Sequence, residues 1–317
     1  MTKNFHTHVG FLPTAEIPDC TKAEKAICDL VGASFPGWPY FDRAEAISTV
    51  LFGHFIDQLA ESGRNHILTS NVEDAPTLLS LQRLEPLGCF AKKVSVNNRG
   101  FITAEDVKKY ITARTGLVSL SWANALTGVV QPIASIAKVC QEAQVPLHVD
   151  ASHVAGKMQI RMDEMGIDYL TWEGMLFSKE PLLPMVSGRP IDPSWIVERG
   201  KRAQELMDNL DHLAIESARI RDTFERKLTC GQALFQDSER LPGISCISFS
   251  KMTSELLAFH LKHAGLDVSF GGGAFQNIEH VLKAAGLDDR LAKSALSFCF
   301  TPDSNPNELQ LALEQIL

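Results

Sequence analysis

The segment HVDASHVAG, residues 148–156, holds the residue types best suited to chemistry. A carboxylate, Asp150, follows the apolar run PLHV directly, and an imidazole, His153, stands three positions on. A carboxylate at the end of a buried strand is costly to desolvate unless it is paired. Its partner could be the protonated nitrogen of a bound heterocycle or a cation of the protein itself. The same residues also have a plainer reading, in which Asp150 caps the following turn and His153 is a satisfied core histidine. Two more polar residues close apolar runs in the same manner: Asn124 after LVSLSWA and Glu173 after YLTW.

The elements that must position these groups alternate in kind. Between about residues 66 and 190, short apolar runs (HILTS, AKKVSV, GLVSLSWAN, VPLHVDAS, IDYLTWE and LLPMVSG) are interleaved with segments of helical spacing. DYLTWEGMLFSKEP, 168–181, reads as a buried strand running into a loop. Thr103 is an N-cap for TAEDVKKYITA, with acidic residues in the first turn where the helix dipole favours them. Strand–helix alternation with apolar strands predicts an α/β fold with a mostly parallel sheet covered on both faces. Ligands in such sheets lie beyond the carboxyl ends of the strands, where Asn124, Asp150 and Glu173 fall. After Pro190 the pattern changes. PSWIVERGKRAQELMDNLDHLAIESARIRDTFERKL predicts one long amphipathic helix, and GISCISFS, LDVSFGGG and ALSFCF predict strands among shorter helices. The division expected is a large α/β domain over 1–190 and a smaller α+β domain over 191–317.

Composition narrows the function classes. A net charge of −8 opposes binding to nucleic acid or to anionic membrane. No apolar run is long enough for a signal peptide or a membrane span, so the expected location is cytoplasmic. Seven scattered cysteines without a C-x-x-C pair read as reduced thiols and provide no metal site. Cys246 and Cys299 both fall in apolar strand patterns, where a thiol is inert. GGG, 271–273, reads as a bend, because no Lys or Ser/Thr follows to make a phosphate loop.

The stretch ALTGVVQPIASIAKVCQEAQVPLHVDASHVAGKMQIRMDEMGIDYLTWEG resembles the core of the cysteine desulfurases. These belong to the class V branch of pyridoxal-phosphate enzymes of aminotransferase fold (PLP fold type I). HILTSNVE and FITAEDVKKYI resemble the preceding strand and helix of that family, and LDVSFGGGA and VLKAAGLDDRLAKSALSF resemble its small C-terminal domain. The resemblance implies pyridoxal 5'-phosphate as cofactor and a homodimer. Asp150 matches the aspartate that pairs the pyridinium nitrogen, Asn124 an asparagine near the ring hydroxyl, and His153 a further ring contact.

Other family positions are occupied by residues that cannot do the family's chemistry. Leu176 stands where the Schiff-base lysine belongs, and Asp74 where a histidine stacks on the ring. Ala274 stands at the place of the persulfide cysteine, on a shortened loop, and Ser297 at that of the arginine that clamps the substrate carboxylate. The phosphate cup falls on FDRAEAI, Phe41–Ile47, which has no glycine and carries carboxylates that oppose a phosphate. These substitutions together predict a catalytically degenerate homologue acting through dimerisation or through a partner, such as an active desulfurase or another iron–sulfur assembly protein. The alternative is an active enzyme of the same type, in which a bulged loop brings Lys179 to Asp150. A third reading is a module binding another small molecule in the emptied crevice, walled by Asn124, Asp150, His153 and Glu173.

Overall fold

The computed structural model describes residues 20–179 and 193–317, apart from the side chains of residues 58–60 and 193. Its first part runs α1 (Thr21–Val31), β1 (Trp38–Pro39), α2 (Arg43–Ser62), β2 (His66–Ser70), α3 (Ala75–Leu84), β3 (Phe90–Val94), α4 (Ala104–Tyr110) and β4 (Thr115–Ser121). It continues with α5 (Ile133–Glu142), β5 (Leu147–Asp150), α6 (Met162–Met165), β6 (Tyr169–Trp172) and β7 (Met175–Ser178). The strands form one seven-stranded sheet in the order β1-β7-β6-β5-β4-β2-β3. Strands β2 to β6 are parallel, whereas β7 runs antiparallel to β6 and β1 antiparallel to β7. This is the expected α/β architecture with a mostly parallel sheet.

Strands β2, β4, β5 and β7 are buried at every position, as strands covered on both faces must be. Residues of α1, α4, α5 and α7 share one core cluster with Met175 and Phe177. Ala46, Ile47, Val50 and Leu51 of α2 share another with Leu176. The two-residue period of the pleat sends neighbouring side chains of β7 to opposite faces.

The second part begins with α7 (Pro193–Lys227), the long helix expected from the sequence. It is followed by β8 (Gln232–Ala233), β9 (Ile244–Ser248), α8 (Ser254–His263), α9 (Ile278–Ala284), α10 (Asp289–Lys293), β10 (Ala295–Cys299) and α11 (Pro306–Ile316). β10, β9 and β8 make a small antiparallel sheet over a core that includes Phe224, Phe249 and Phe298. The expected boundary at 190–191 and the expected strand LLPMVSG lie outside the described residues.

Two elements depart from expectation. EGMLFSK is a turn and a strand rather than a loop: Glu173, at φ 45°, and Gly174, at φ 86°, reverse the chain and β7 returns along β6. LDVSFGGG does not form a ladder strand. Only Ser269 pairs with β10, its N–H donating to the Ser297 carbonyl at 3.1 Å and its carbonyl accepting from Ser297 at 2.7 Å. Gly271 to Gly273 then turn through positive φ, and Gly272 bridges back to Phe275 rather than to β10.

Candidate functional site

The crevice beyond the carboxyl ends of β2 and β5 is organised by Arg43, the first residue of α2. Asp42 Oδ1 accepts the Glu45 N–H at 2.8 Å, and Glu45 Oε2 accepts the Phe41 N–H at 2.7 Å. The helix therefore satisfies its own N-terminus with carboxylates. The stretch expected at the phosphate cup is thus self-capped, and it directs Arg43 into the crevice.

Arg43 Nε donates to Asp150 Oδ2 at 2.8 Å, and Nη2 bridges that oxygen and Asp74 Oδ2, the latter at 2.7 Å. Asp74 Oδ2 also meets His153 Nε2 at 2.8 Å. The other Asp150 oxygen accepts from Ser152 N at 3.2 Å, Ser152 Oγ at 2.7 Å and Thr171 Oγ1 at 3.1 Å. Thr171 Oγ1 lies 3.2 Å from His148 Nε2, and His148 Nδ1 lies 2.8 Å from Ser119 Oγ. With the Thr171 proton committed to Asp150, His148 donates from Nε2 and accepts from Ser119, so the network is complete down to the floor of the sheet.

The electrostatics follow from this pairing. Burial pushes the Asp150 carboxyl up, but Arg43, then His153 and the hydrogen bonds, more than reverse it, to about 2. Burial works against the Arg43 cation too, and Asp150 and Asp74 outweigh it, so its pKa rises. His148 is held neutral, pushed down to about 4 chiefly by burial and also by Arg43, against the pull of Asp150. Glu73, behind Asp74, is pushed up to about 7 by burial, against bonds from Ser70 and Ser121.

The C-terminal part closes over this crevice. The Ala274 carbonyl accepts the Ala75 N–H at the start of α3 at 3.1 Å. Gln276 Nε2 donates to the Glu73 carbonyl at 3.2 Å, and the Phe275 ring lies 5.7 Å from that of His153. At the position expected for a sulfur carrier, the chain thus supplies a backbone contact. Ser297 is buried in β10.

Of the residues singled out in the sequence, Asp150 and His153 meet here, through Asp74 and Arg43. Asn124 is committed to backbone instead: Nδ2 donates to the Val72 carbonyl at 3.1 Å, and Oδ1 accepts from Leu126 and Thr127, both at 3.0 Å. Glu173 is exposed and its side chain pairs with Arg199 of α7 rather than with the Arg43 network. Its N–H donates to Ser152 Oγ at 3.2 Å, and the two residues share the wall of a cavity of about 580 Å³. Leu176 is 1% exposed, beside Thr171 on β6 and packed with α2. The alternative in which a bulged loop brings Lys179 to Asp150 is contradicted by the β6–β7 turn. Ser178 pairs with Tyr169 at the opposite end of β6, and Lys179, one residue further on, is exposed. Three residues of strand, about 10 Å, carry it away from Leu176. Cys246 is buried, and burial pushes its thiol up to about 12. Cys299 is exposed at the end of β10, contrary to its apolar surroundings in sequence. Sequence reasoning missed Arg43, although it lies within FDRAEAI; the possibility of a protein cation partner for Asp150 was the available signal.

The aminotransferase class-V family pattern matches residues 20–174. The mitosomal cysteine desulfurase of Encephalitozoon cuniculi is 29% identical over 310 residues, 87% of this chain and 71% of that protein. The cysteine desulfurase IscS of Dictyoglomus turgidum is 25% identical over 277 residues, 78% of this chain and 70% of that protein. A solved NifS-like protein superposes with a TM-score of 0.84 at 22% identity, over 94% of this chain and 86% of its own. The chain is thus similar over most of its length to cysteine desulfurases, and its first half matches the aminotransferase class-V family. That family depends on pyridoxal phosphate, and the crevice of this desulfurase-like chain does not fit that cofactor. The oxygen of Asp150 expected to face a pyridinium nitrogen is taken by a guanidinium, the position expected for the capturing amine holds the apolar Leu176, and the expected cup is capped by the Asp42 carboxylate. Among the described residues no helix is long and apolar enough to cross a membrane.

Proposed function

We propose that this chain is a catalytically degenerate cysteine desulfurase homologue, in which Arg43 takes the place of the cofactor's cation and the scaffold serves association. The observation that carries this reading is the bridge from Arg43 to Asp150 and Asp74. A buried aspartate needs a positive partner, and here the chain supplies it. Leu176, buried against α2, supports the reading, because no amine stands where the cofactor aldehyde would be captured. Lys179, the lysine considered for the active alternative, stands at the wrong end of the sheet.

The test is spectroscopic. The purified chain is mixed with pyridoxal phosphate, and its visible spectrum and intact mass are recorded before and after borohydride. The expected result is no protein-bound yellow band and no pyridoxyl mass on any lysine. A reduced adduct on a lysine, or sulfide released from cysteine in a pyridoxal-phosphate-dependent manner, overturns the reading. On this reading the chain acts as a homodimer or with an active desulfurase or another iron–sulfur assembly protein. Size measurement and co-purification check the association, and a strictly monomeric chain that recovers neither class of partner refutes it.

A further inference from the structure

A cavity of about 450 Å³ opens at the other end of the sheet, among the amino ends of β2, β3 and β4. Its walls include His66, the first residue of β2, Phe90, the first of β3, and Arg114, the residue before β4. Strands run away from this end toward the Arg43 crevice, so nothing here takes part in that network.

Three features of the cavity point to a ligand. First, His66 is only 5% exposed, and its Nε2 is buried without a hydrogen-bond partner among the described residues. Its Nδ1 lies 2.8 Å from Thr115 Oγ1, which already accepts the Thr112 N–H at 2.8 Å. Thr112 Oγ1 also lies 3.3 Å from Thr115 Oγ1; donating along the shorter contact, the Thr115 hydroxyl gives its proton to Nδ1, and that assignment leaves the ring hydrogen on Nε2 as an unused donor. Burial lowers the pKa of the ring, and Arg114 and Lys92 add to that effect. Second, Arg114 is held in place: Nε and Nη2 donate to Asn65 Oδ1 at 3.1 and 2.8 Å, while Asn65 Nδ2 donates to the Gly88 carbonyl at 2.7 Å. Its Nη1 has no partner among the described residues and remains available at the rim. Third, the Phe90 ring is 62% exposed and lies 5.4 Å from the His66 ring, a flat apolar surface beside the two donors. The neighbouring Cys89 thiol is buried and adds only apolar wall.

We propose that this cavity binds a small aromatic carboxylate, its ring against Phe90 and its carboxylate shared by the His66 Nε2–H and the Arg114 guanidinium. A neutral donor beside a fixed cation selects an anionic acceptor, and the exposed ring selects a flat body over a compact inorganic anion. The volume lies within the range of small-molecule sites.

The experiment uses the full chain with ¹³C-labelled histidine rings. Sodium benzoate, its neutral isostere benzamide and inorganic phosphate are titrated separately while the His66 ring resonances are followed by NMR. Benzoate is expected to give a saturable shift of His66, with benzamide and phosphate each at least about tenfold weaker, the scale of one charge-assisted contact. Arg114→Gln, at an exposed position where folding is preserved, should weaken benzoate by a similar factor. The proposal is overturned if benzoate leaves His66 unmoved up to millimolar concentration, if benzamide or phosphate binds as well as benzoate, or if Arg114→Gln binds unchanged.

Discussion

Replacing Arg43 with methionine removes the cation and keeps an unbranched side chain of similar reach. The guanidinium serves two carboxylates whose side chains are 1% and 4% exposed. Removing one partner from a buried ion pair costs about 3–5 kcal/mol, because the remaining charge stays desolvated. Asp150 keeps its bonds from Ser152 and Thr171, and Asp74 keeps His153, so the loss belongs at the lower end, about 3 kcal/mol. The pH dependence is more diagnostic than the size. In the wild type the Asp150 carboxyl lies below its ordinary 3.8, at about 2. Its contribution to stability is therefore present above the ordinary value and is lost as pH falls toward 2. Without Arg43, burial is the largest remaining influence and the carboxyl moves above 3.8. The sign then reverses: the variant gains stability on acidification through the raised value and loses it as pH rises. Urea unfolding from acid to mildly alkaline pH reads both effects. A loss below about 1 kcal/mol at neutral pH, or a deficit that does not shrink on acidification, refutes the view that Arg43 neutralises a buried carboxylate pair.

Other perturbations test neighbouring parts of the account. Glu73 sits at about 7, raised chiefly by burial, so its contribution is complete below its ordinary 4.5 and falls away as pH rises through 7, by about 3 kcal/mol. Glu73→Gln should flatten that decline in urea midpoints, and an unchanged pH profile counts against a neutral Glu73 in the fold. Leu176→Lys places an ammonium at a site 1% exposed and should cost about 3 kcal/mol or more in thermal or urea unfolding. Alone it should give no coloured adduct with pyridoxal phosphate, because Arg43 still holds Asp150; a coloured adduct in this variant shows that Arg43 does not close the crevice. Gly200→Ala puts a Cβ 2.4 Å from Ala23 Cα where α1 crosses α7. Overpacking of about 1–3 kcal/mol should exceed the helix-propensity gain of about 1 kcal/mol, so a net rise in the urea midpoint contradicts the close approach.

The local pattern of the chain carried much of the fold. Apolar runs and helical spacing located β2 to β6 and the long α7, and Thr103 is the N-cap expected, closing in addition a capping box with Asp106. Short elements held together by distant partners were not legible. β1 and β8 each have two residues, and β7 is a four-residue run whose identity as a strand comes from pairing with β6. Misreading β7 is what left Lys179 as a candidate, since a loop could have carried it toward Asp150 whereas a returning strand carries it away.

The sequence by itself determined which side chains exist: a carboxylate at the end of β5, an imidazole three residues on, a leucine at 176 and an alanine at 274. Those facts are covalent and do not depend on folding. Only the tertiary structure decided that Arg43, 107 residues from Asp150, supplies its positive charge, and that Asp74 serves as a second anchor rather than as a missing ring. Charge pairing acts over a few ångströms of space, while residue order records only distance along the chain. The partner of a buried ion is settled by how α2 packs on the sheet.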